Sequence, residues 1–378
     1  MIIEFAPMEG VTDVVFRRAH FEMFGGVDRY FLPFISPTSH LTFSHREQEG
    51  VSPLLNRGIP VVPQILTRDA SLFLQTARLL ADAGYEEVNL NLGCPSGTVT
   101  AKGKGSGFLR DLDGLRAFLD EVFEGASVSV SIKTRVGYES ADEWPGLYAL
   151  FRGYPLKELI VHPRTRTEFY KGEAHRDALD VCADAPFPVV YNGDLFRADD
   201  ARGFSEAHPE ISALMMGRGL VANPALAREA KGGARLTKEE ARAFHDRLLR
   251  EYLEKWPRNA VVGHMQEFMY YMGRCFENAG KAEKLIRKAK TPEKYMDAVS
   301  RLFDECPLAS PPAFSPRCFS DSPREGRGSV APPAPPQGAF SIARAAVRCA
   351  LLLLKASSFT PPTRDGNAPA PLSAFYPR

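Results

Sequence analysis

The chain has few cysteines, and none of them is spaced as a metal ligand. Its six cysteines, at positions 94, 182, 275, 306, 318 and 349, include no Cys-x-x-Cys pair. This scatter argues against a disulfide framework and against a structural zinc site. Histidine and carboxylate residues form no cluster with ligand spacing either. We therefore expect no metal, and a reducing, cytoplasmic environment.

Long apolar runs and an excess of one charge are also missing. No uncharged apolar run approaches the roughly 20 residues that span a bilayer, and residues 1–8 lack the basic region of a signal peptide. The 47 basic and 46 acidic residues leave a net charge of +1. Bulk charge therefore gives no sign of a nucleic-acid partner. We expect a monomer that does not enter a membrane and whose RNA contacts, if any, are local.

Short strand-forming runs recur about every 30 residues, the length of one strand plus a crossover helix. The eight predicted strands cover residues 2–6, 29–32, 61–66, 87–92, 127–134, 158–162, 189–192 and 213–216. The segments between them have helical spacing, as in Leu72, Thr76 and Leu80. Eight such units predict an α/β fold over residues 1–233, a (β/α)8 TIM barrel rather than an open doubly wound sheet.

The pattern changes after Gly232-Gly233. Helical patterns run over residues 236–255, 260–278, 281–289 and 292–305, with a turn at 258–259. Thr237 followed by Glu239 and Glu240 predicts the start of the first of these helices. We predict a small helical domain over residues 234–306.

The composition changes again after Cys306. Residues 307–378 contain 14 of the 30 prolines, and such a segment buries too little apolar surface to fold alone. We predict a disordered tail that the chemistry does not need. Its apolar stretch at 345–354 is too short to span a bilayer, and a membrane-surface or partner helix is the alternative there.

The most informative stretch is residues 89–110. An alternating apolar run, Val88, Leu90 and Leu92, ends just before Cys94 and is followed by a loop rich in glycine and lysine. Enzymes of the α/β class present reactive side chains at the carboxyl end of a strand, next to a mobile loop. We therefore predict a functional role for Cys94. A structural cysteine, the alternative, would more often lie inside the apolar run.

Polar residues also follow the other predicted strands, at the end where a barrel carries its active site. They are Glu9, Gln64, Lys133, Arg135, His162, Arg164, Arg166, Asn192, Asp194 and Arg218. Gly193 and Gly217 follow the last two strands, where bare backbone N–H groups bind phosphate in this fold. Tight turns are the alternative explanation for either glycine alone.

A phosphate beneath amide, lysine and histidine side chains suits flavin mononucleotide (FMN). Gln64 and Asn91 can bond the pyrimidine edge of the isoalloxazine. Lys133 can place a positive charge where the reduced ring becomes anionic, with an ion pair to a carboxylate as the alternative. His162 alone would more often be a satisfied core histidine.

Six segments resemble one known family. They are Ala6-Pro-Met-Glu-Gly, Asn-Leu-Gly-Cys94-Pro, Lys-Thr-Arg135, His162-Pro-Arg-Thr-Arg, Asn192-Gly-Asp and Gly217-Arg-Gly. In this order, over residues 1–306, they resemble the tRNA-dihydrouridine synthase family. The resemblance implies an FMN-bound barrel, a helical domain that helps to hold tRNA, and NADPH as the reductant. Pro163 departs from the family pattern, where a small residue is more usual.

The resemblance also implies roles for single residues. The flavin contacts that it implies are Pro7, Met8, Gln64, Lys133, His162, Asn192, Gly193, Asp194, Gly217 and Arg218, to which we add Glu9 and Asn91. Cys94 matches the catalytic acid, which gives a proton to C5 of a uracil while hydride from the flavin N5 reaches C6. We expect the loop at 97–107 to close over the uridine, which must leave its stack to reach the flavin.

RNA contacts should come from local basic residues. The candidates are Lys102, Lys104, Arg135, Arg164, Arg166, Lys281, Lys284, Arg287, Lys288 and Lys290. A solvated helix face is the alternative for the last five. Two other functions stay open: a small-molecule flavoenzyme resembling dihydroorotate dehydrogenase, which would not need residues 234–306, and a tRNA-binding module that has lost its chemistry.

Overall fold

The computed structural model describes residues 1–309, in which nine parallel strands form a nearly closed barrel. The strands are β1 (Ile3–Phe5), β2 (Arg29–Phe31), β3 (Val61–Val62), β4 (Gln64–Ile65), β5 (Glu87–Leu92), β6 (Ser129–Gly137), β7 (Leu159–Thr165), β8 (Val189–Tyr191) and β9 (Ala213–Met216). They pair in the order β3-β2-β1-β9-β8-β7-β6-β5-β4. The predicted TIM barrel is confirmed. The third predicted strand is divided at Pro63, which has no N–H to donate to a ladder.

Helices connect the strands and follow the barrel. They are α1 (Val14–Met23), α2 (His45–Gly50), α3 (Ala70–Asp82), α4 (Gly97–Thr100), α5 (Leu112–Gly125), α6 (Trp144–Phe151), α7 (Ala198–Ala207), α8 (Arg218–Ala222), α9 (Leu226–Ala230), α10 (Lys238–Lys255), α11 (Arg258–Met272), α12 (Gly280–Lys288) and α13 (Pro292–Glu305). Asp13, Asp69 and Asp111 begin α1, α3 and α5, since each carboxylate accepts a backbone N–H of the first turn. Short 3-10 helices cover Gly105–Arg110, Ala141–Glu143, Arg176–Cys182 and Gly273–Cys275.

Side chains alternate between two cores along the strands, as the period of two requires. Residues such as Val88, Leu90 and Leu92 belong to the large core shared with the helices. A second, smaller core contains side chains on the opposite face of the strands: Ala6, Phe31, Val62, Ile160, Val190, Ala213 and Met215. This second set fills the barrel interior. On β5, Asn89 and Asn91 alternate with Val88, Leu90 and Leu92, so they face the interior as well. Polar side chains on β5 therefore lie inside the barrel.

The segment after Cys94 is folded into short helices rather than an open loop, and the closure of residues 97–107 over the uridine stays a prediction. This segment forms α4 and the 3-10 helix Gly105–Arg110. Ser106 donates to the Cys94 carbonyl from its backbone N at 3.2 Å and from its Oγ at 2.8 Å. Gly105 has φ +56°, and a Cβ there would lie 2.9 Å from the same carbonyl oxygen. Only glycine fits this approach.

Helix α10 begins as predicted, with a capping box between Thr237 and Glu240. The predicted turn at 258–259 is wrong, because α11 already begins at Arg258 and the chain turns at Pro257, which cannot continue α10. Helix α10 packs on α1, and the Tyr252 hydroxyl donates to Asp13 at 2.8 Å. Whether residues 234–306 act as a domain of their own stays a prediction.

Residues 307–309 belong to the folded part of the chain, so the tail predicted from 307 begins too early. Ala309 donates its backbone N–H to the Cys275 carbonyl at 2.8 Å, and Glu277 donates to Pro307 at 2.9 Å. The predictions for residues 310–378 lie outside the described residues. Among residues 1–309, no helix is long and apolar enough to cross a membrane.

Candidate functional site

The carboxyl ends of the strands bring most of the predicted residues together. The register pairs Asn91 on β5 with Lys133 on β6, and Arg135 on β6 with His162 on β7. Asn192 and Gly217 follow β8 and β9 directly, and Met8 lies three residues after β1. The site therefore draws on six strands of the barrel, as the sequence predicts.

Cys94 is held at this end of the barrel through its backbone. The Asn91 side-chain oxygen accepts the backbone N–H groups of Gly93 at 3.1 Å and Cys94 at 2.9 Å. The Cys94 side chain is partly exposed. Burial raises the pKa of its thiol above the ordinary value. The thiol therefore keeps its proton at neutral pH, as an acid must and a thiolate nucleophile does not.

Asn91 and Gln64 form one hydrogen-bonded pair. Asn91 donates from Nδ2 to Gln64 Oε1 at 2.6 Å, and both side chains are buried. Two adjacent amides of this kind offer donors and acceptors to a heterocycle. Their pairing was not evident from the sequence, since the residues lie 27 positions apart.

Cationic groups surround His162. Burial lowers the pKa of its imidazole well below the ordinary value, and the nearby charges of Arg135, Lys133, Arg164 and Arg218 lower it further. His162 is therefore neutral at pH 7. Asp194 is the carboxylate that pairs with this group of cations. Three arginines against this one carboxylate leave a positive surplus, to which Lys133 adds when its ammonium is protonated, and such a surplus suits an anionic ligand.

Asp194 joins two of these cations. Its carboxylate accepts from Arg164 Nη2, and from Arg218 Nη2 at 2.5 Å. The Arg164 guanidinium also donates to the carbonyl of Lys171 at 3.2 Å and to that of Gly172 at 2.7 Å. The ion pairs therefore fix the loop after β7 against the end of β8.

Arg135 and Arg164 are buried, which corrects the RNA contact expected of them. Arg135 is 1% exposed and Arg164 is 0% exposed. Arg135 donates to the carbonyls of Gly93 at 2.9 Å and of Thr165 and Phe169 at 2.8 Å each. Both guanidinium groups hold backbone in place and add positive charge to the site, and neither is open to solvent.

Lys133 differs from its neighbours because the described residues offer it no hydrogen-bond or ion-pair partner. Burial, followed by the charge of Arg135, lowers the pKa of its ammonium to about 7. The ion pair considered as an alternative for Lys133 is absent from residues 1–309. A lysine with this pKa is poised to gain a proton when an anion binds.

The two glycines of the predicted phosphate site differ in how closely other atoms would approach a Cβ at each position. A Cβ on Gly193 would lie 1.9 Å from the Tyr191 hydroxyl oxygen, so internal packing alone explains this glycine. A Cβ on Gly217 would lie 3.3 Å from Ala6 Cβ, a tight but tolerable contact. Asn192 donates from Nδ2 to the Met215 carbonyl at 2.8 Å and so ties β8 to β9.

Tyr170 is a site residue that the sequence analysis missed. The Arg218 guanidinium lies 4.3 Å from the centre of its ring, and the His162 ring lies 5.8 Å away. An arginine on an aromatic face gains cation–π attraction. The signal was present in the sequence, since Tyr170 lies in the arginine-rich stretch that begins at His162.

The other predicted residues lie around this centre. Glu9 forms an ion pair with Arg46 at 2.7 Å, and Lys104 donates to Ser36 Oγ at 3.3 Å. Lys102 is exposed, and Arg166 stacks on Phe169 at 4.9 Å. The α12 cations Lys281, Lys284, Arg287 and Lys288 are exposed, and form no ion pair within residues 1–309. Nor do the described residues contain a group of His, Cys, Asp and Glu that could hold a metal.

Fold and site together define a TIM-barrel protein with a cationic centre and a thiol of raised pKa at the carboxyl ends of its strands. The family model for Dihydrouridine synthase (Dus) matches residues 4–304. The chain belongs to the dihydrouridine synthase family, and the family expected from the motifs is confirmed. The match extends through α10–α13.

Two named relatives and one solved structure illustrate what the chain is similar to. A "Probable tRNA-dihydrouridine synthase" of Staphylococcus aureus (strain COL) is 32% identical over 237 residues, covering 58% of this chain and 68% of the relative. A "tRNA-dihydrouridine(16) synthase" of Pseudomonas putida is 29% identical over 295 residues, covering 74% and 90%. Among solved structures, the old yellow enzyme from Trypanosoma cruzi aligns with a TM-score of 0.46 at 10% identity, covering 62% of this chain and 89% of that chain.

Proposed function

We propose that this chain reduces the C5–C6 double bond of a specific uridine in tRNA to 5,6-dihydrouridine, with FMN as its cofactor and NADPH as the reductant. The observation that carries the proposal is the meeting of a protonated thiol, Cys94, with a cationic centre at one end of the barrel. The first feature supplies a proton and the second binds an anionic cofactor.

The residues present fit the cofactor. The positive surplus around His162 matches a phosphate, and the Gln64–Asn91 pair matches the edge of a flavin ring. When bound, the flavin supplies the hydride that the uracil C6 receives. The residues that would hold it are Pro7, Met8, Glu9, Gln64, Asn91, Lys133, His162, Asn192, Gly193, Asp194, Gly217 and Arg218.

Cys94 gives its proton to the uracil C5. Burial raises the pKa of its thiol, so the proton is in place before the substrate arrives. Two N–H bonds to Asn91 and the Ser106 bonds to the Cys94 carbonyl fix the backbone of Cys94. Fixed geometry of this kind is what general acid catalysis needs.

Lys133 and His162 complete the centre in different protonation states. Lys133, with a pKa of about 7, takes up a proton when negative charge develops beside it. His162 is neutral, so it can accept a hydrogen bond as well as donate one. Together the two side chains serve a cofactor that carries a phosphate and gains negative charge on reduction.

The tRNA is held by basic side chains outside this centre, of which Lys104 and Arg166 are half-buried and the others are exposed. Lys102, Lys104 and Arg166 lie on segments next to Cys94 and His162, and Lys284, Arg287 and Lys288 lie on α12. The names of the relatives from S. aureus and P. putida support tRNA as the substrate. A cytoplasmic location and a monomeric state stay predictions.

Purified full-length protein tests the proposal. We expect bound FMN, identified by absorbance and by mass spectrometry after release, and dihydrouridine formed in tRNA on addition of NADPH. A deletion strain should lack dihydrouridine at one tRNA position, and the wild-type gene should restore it. Colourless protein that takes up no FMN contradicts the cofactor, and unchanged tRNA in a strain without paralogues contradicts the substrate.

A further inference from the structure

A chain of buried side chains crosses the barrel interior from its amino-terminal end to Cys94. Ser131 donates to Glu87 Oε1 at 2.6 Å, and Asn89 donates to Ser131 Oγ at 2.9 Å. Gln64 then donates to Asn89 Oδ1 at 2.8 Å, and Asn91 donates to Gln64 Oε1 at 2.6 Å. Asn91 Oδ1 finally accepts the Cys94 backbone N–H.

The groups at the two ends of this hydrogen-bond chain both require each side chain to donate toward Glu87 and to accept from the Cys94 side. At the Cys94 end, a backbone N–H can only donate, so Asn91 must present its oxygen there and its NH2 group to Gln64. At the other end, a carboxylate can only accept, so Ser131 spends its single proton on Glu87 and must accept from Asn89. Each amide between the ends has one possible orientation.

Glu87 must be a carboxylate for this direction to hold. Its second oxygen, Oε2, accepts from Arg29 Nη1 at 3.0 Å, so Glu87 has a donor on each side. Glutamine in its place offers an acceptor on one side only and would set its NH2 group against a donor on the other. A buried donor facing a donor loses its hydrogen bond, which is costly.

Arg29 also serves two other carboxyl groups, those of Glu4 at 2.6 Å and Glu158 at 2.5 Å. Burial, with the nearby charge of Glu4, raises the pKa of Glu158 to about 8. Arg29 is thus shared among three carboxyl groups, and it reaches Oε2 of Glu87 from Nη1 at 3.0 Å.

We propose that Glu87, at the amino-terminal end of the barrel, is a positioning residue that acts through Ser131, Asn89, Gln64 and Asn91 to hold the backbone of Cys94. The role in turnover rests on the proposed function, whereas the hold on Cys94 does not. Glu87 is the first residue of β5, at the end opposite Cys94, so it acts only through the chain of hydrogen bonds.

Three variants of the full-length protein test this inference, in a background with Cys318→Ser and Cys349→Ser so that labelling reports on residues 1–309. Glu87→Gln leaves one acceptor for two donors, Ser131 and Arg29, and Ser131→Ala cuts the hydrogen-bond chain but keeps every charge. Glu86→Gln is the matched control, since Glu86 is the exposed neighbour of Glu87. The readouts are the rate of maleimide labelling at Cys94 and the kcat and KM for tRNA.

We expect Glu87→Gln and Ser131→Ala to label Cys94 about threefold faster or more, because its backbone is less constrained. We also expect kcat to fall about tenfold with KM for tRNA unchanged, while Glu86→Gln matches the wild type. Lower unfolding temperatures with labelling and kcat as in Glu86→Gln would overturn the inference. If Glu87→Gln does not fold, Ser131→Ala decides. A wild-type chain that reduces no uridine would refute the proposed function and leave the labelling test valid.

Discussion

The Asn91 side-chain oxygen lies 2.9 Å from the backbone N of Cys94 and accepts its hydrogen bond. Asn91 belongs to β5, whereas Cys94 belongs to the segment that leaves the strand. The bond therefore attaches the reactive residue to the rigid barrel instead of leaving it to the segment alone. Sites supported by regular elements are more accurately placed than sites on loops.

Replacing Cys94 by alanine should remove turnover and leave cofactor binding intact. The thiol is the proposed proton donor, and loss of a general acid costs about 10²- to 10⁴-fold in rate. The FMN content of Cys94→Ala should equal that of the wild type, because the cationic centre is unchanged. Rapid mixing with tRNA and NADPH measures the rate, and full activity of the variant would refute the acid role.

Asp194→Asn should destabilise the fold strongly. It removes the carboxylate that neutralises Arg164, whose side chain is 0% exposed, and breaking a buried ion pair costs about 3 to 5 kcal/mol. Asp199→Asn is the control, because Asp199 forms an exposed pair with Arg202 worth at most about 1 kcal/mol. Urea unfolding measures both, and equal losses of unfolding free energy would contradict this account.

Much of the fold could be predicted because each strand carries its own pattern. On β5, Val88, Leu90 and Leu92 alternate with polar residues, which predicts both the strand and its two faces. The start of α10 was also predictable, since Thr237 and Glu240 form the capping box locally. The division of one strand at Pro63 could have been predicted from the proline itself, whereas the folding of residues 97–110 depends on contacts with β5 and β6. Local pattern does not contain these contacts.

The sequence predicts which residues belong to the candidate site, but it does not predict which of their side chains are buried. Strand ends converge in a barrel, so Lys133, His162 and Asn192 could be grouped without coordinates. Arg135 and Arg164 look like surface cations in the sequence, yet their donors are used by backbone carbonyls from other loops. Burial of an arginine depends on tertiary partners, which spacing along the chain does not reveal.

The affinity for FMN should depend on pH through Lys133. Its pKa of about 7 means that the ammonium is charged below pH 7 and neutral above it. An anionic ligand favours the charged form, so the affinity should fall as pH rises from 6 to 8, by up to about tenfold. Lys133→Arg stays charged over this range and should lose this part of the dependence. Flavin fluorescence titration of the apoprotein measures both, and identical pH profiles would exclude the role of Lys133.

Truncation should separate the folded end of the chain from the rest. Removing residues 310–378 should leave turnover and the unfolding temperature unchanged. Removing residues 307–378 should lower the unfolding temperature by several degrees, because Ala309 and Pro307 lose their bonds to Cys275 and Glu277. Thermal unfolding of both truncated chains tests this. A large loss of tRNA reduction in the shorter deletion would show that residues 310–378 take part in function.

Reversing charges on α12 should weaken tRNA binding without changing the chemistry. Lys284 and Lys288 are exposed and form no ion pair within the described residues, so a nearby phosphate can pair with either. Lys284→Glu with Lys288→Glu should raise KM for tRNA about tenfold, leave kcat unchanged and reduce the salt dependence of binding. Lys157→Glu is the control, since Lys157 is exposed at the opposite end of the barrel, just before β7. An equal rise in KM for both proteins would mean that α12 acts only through net charge.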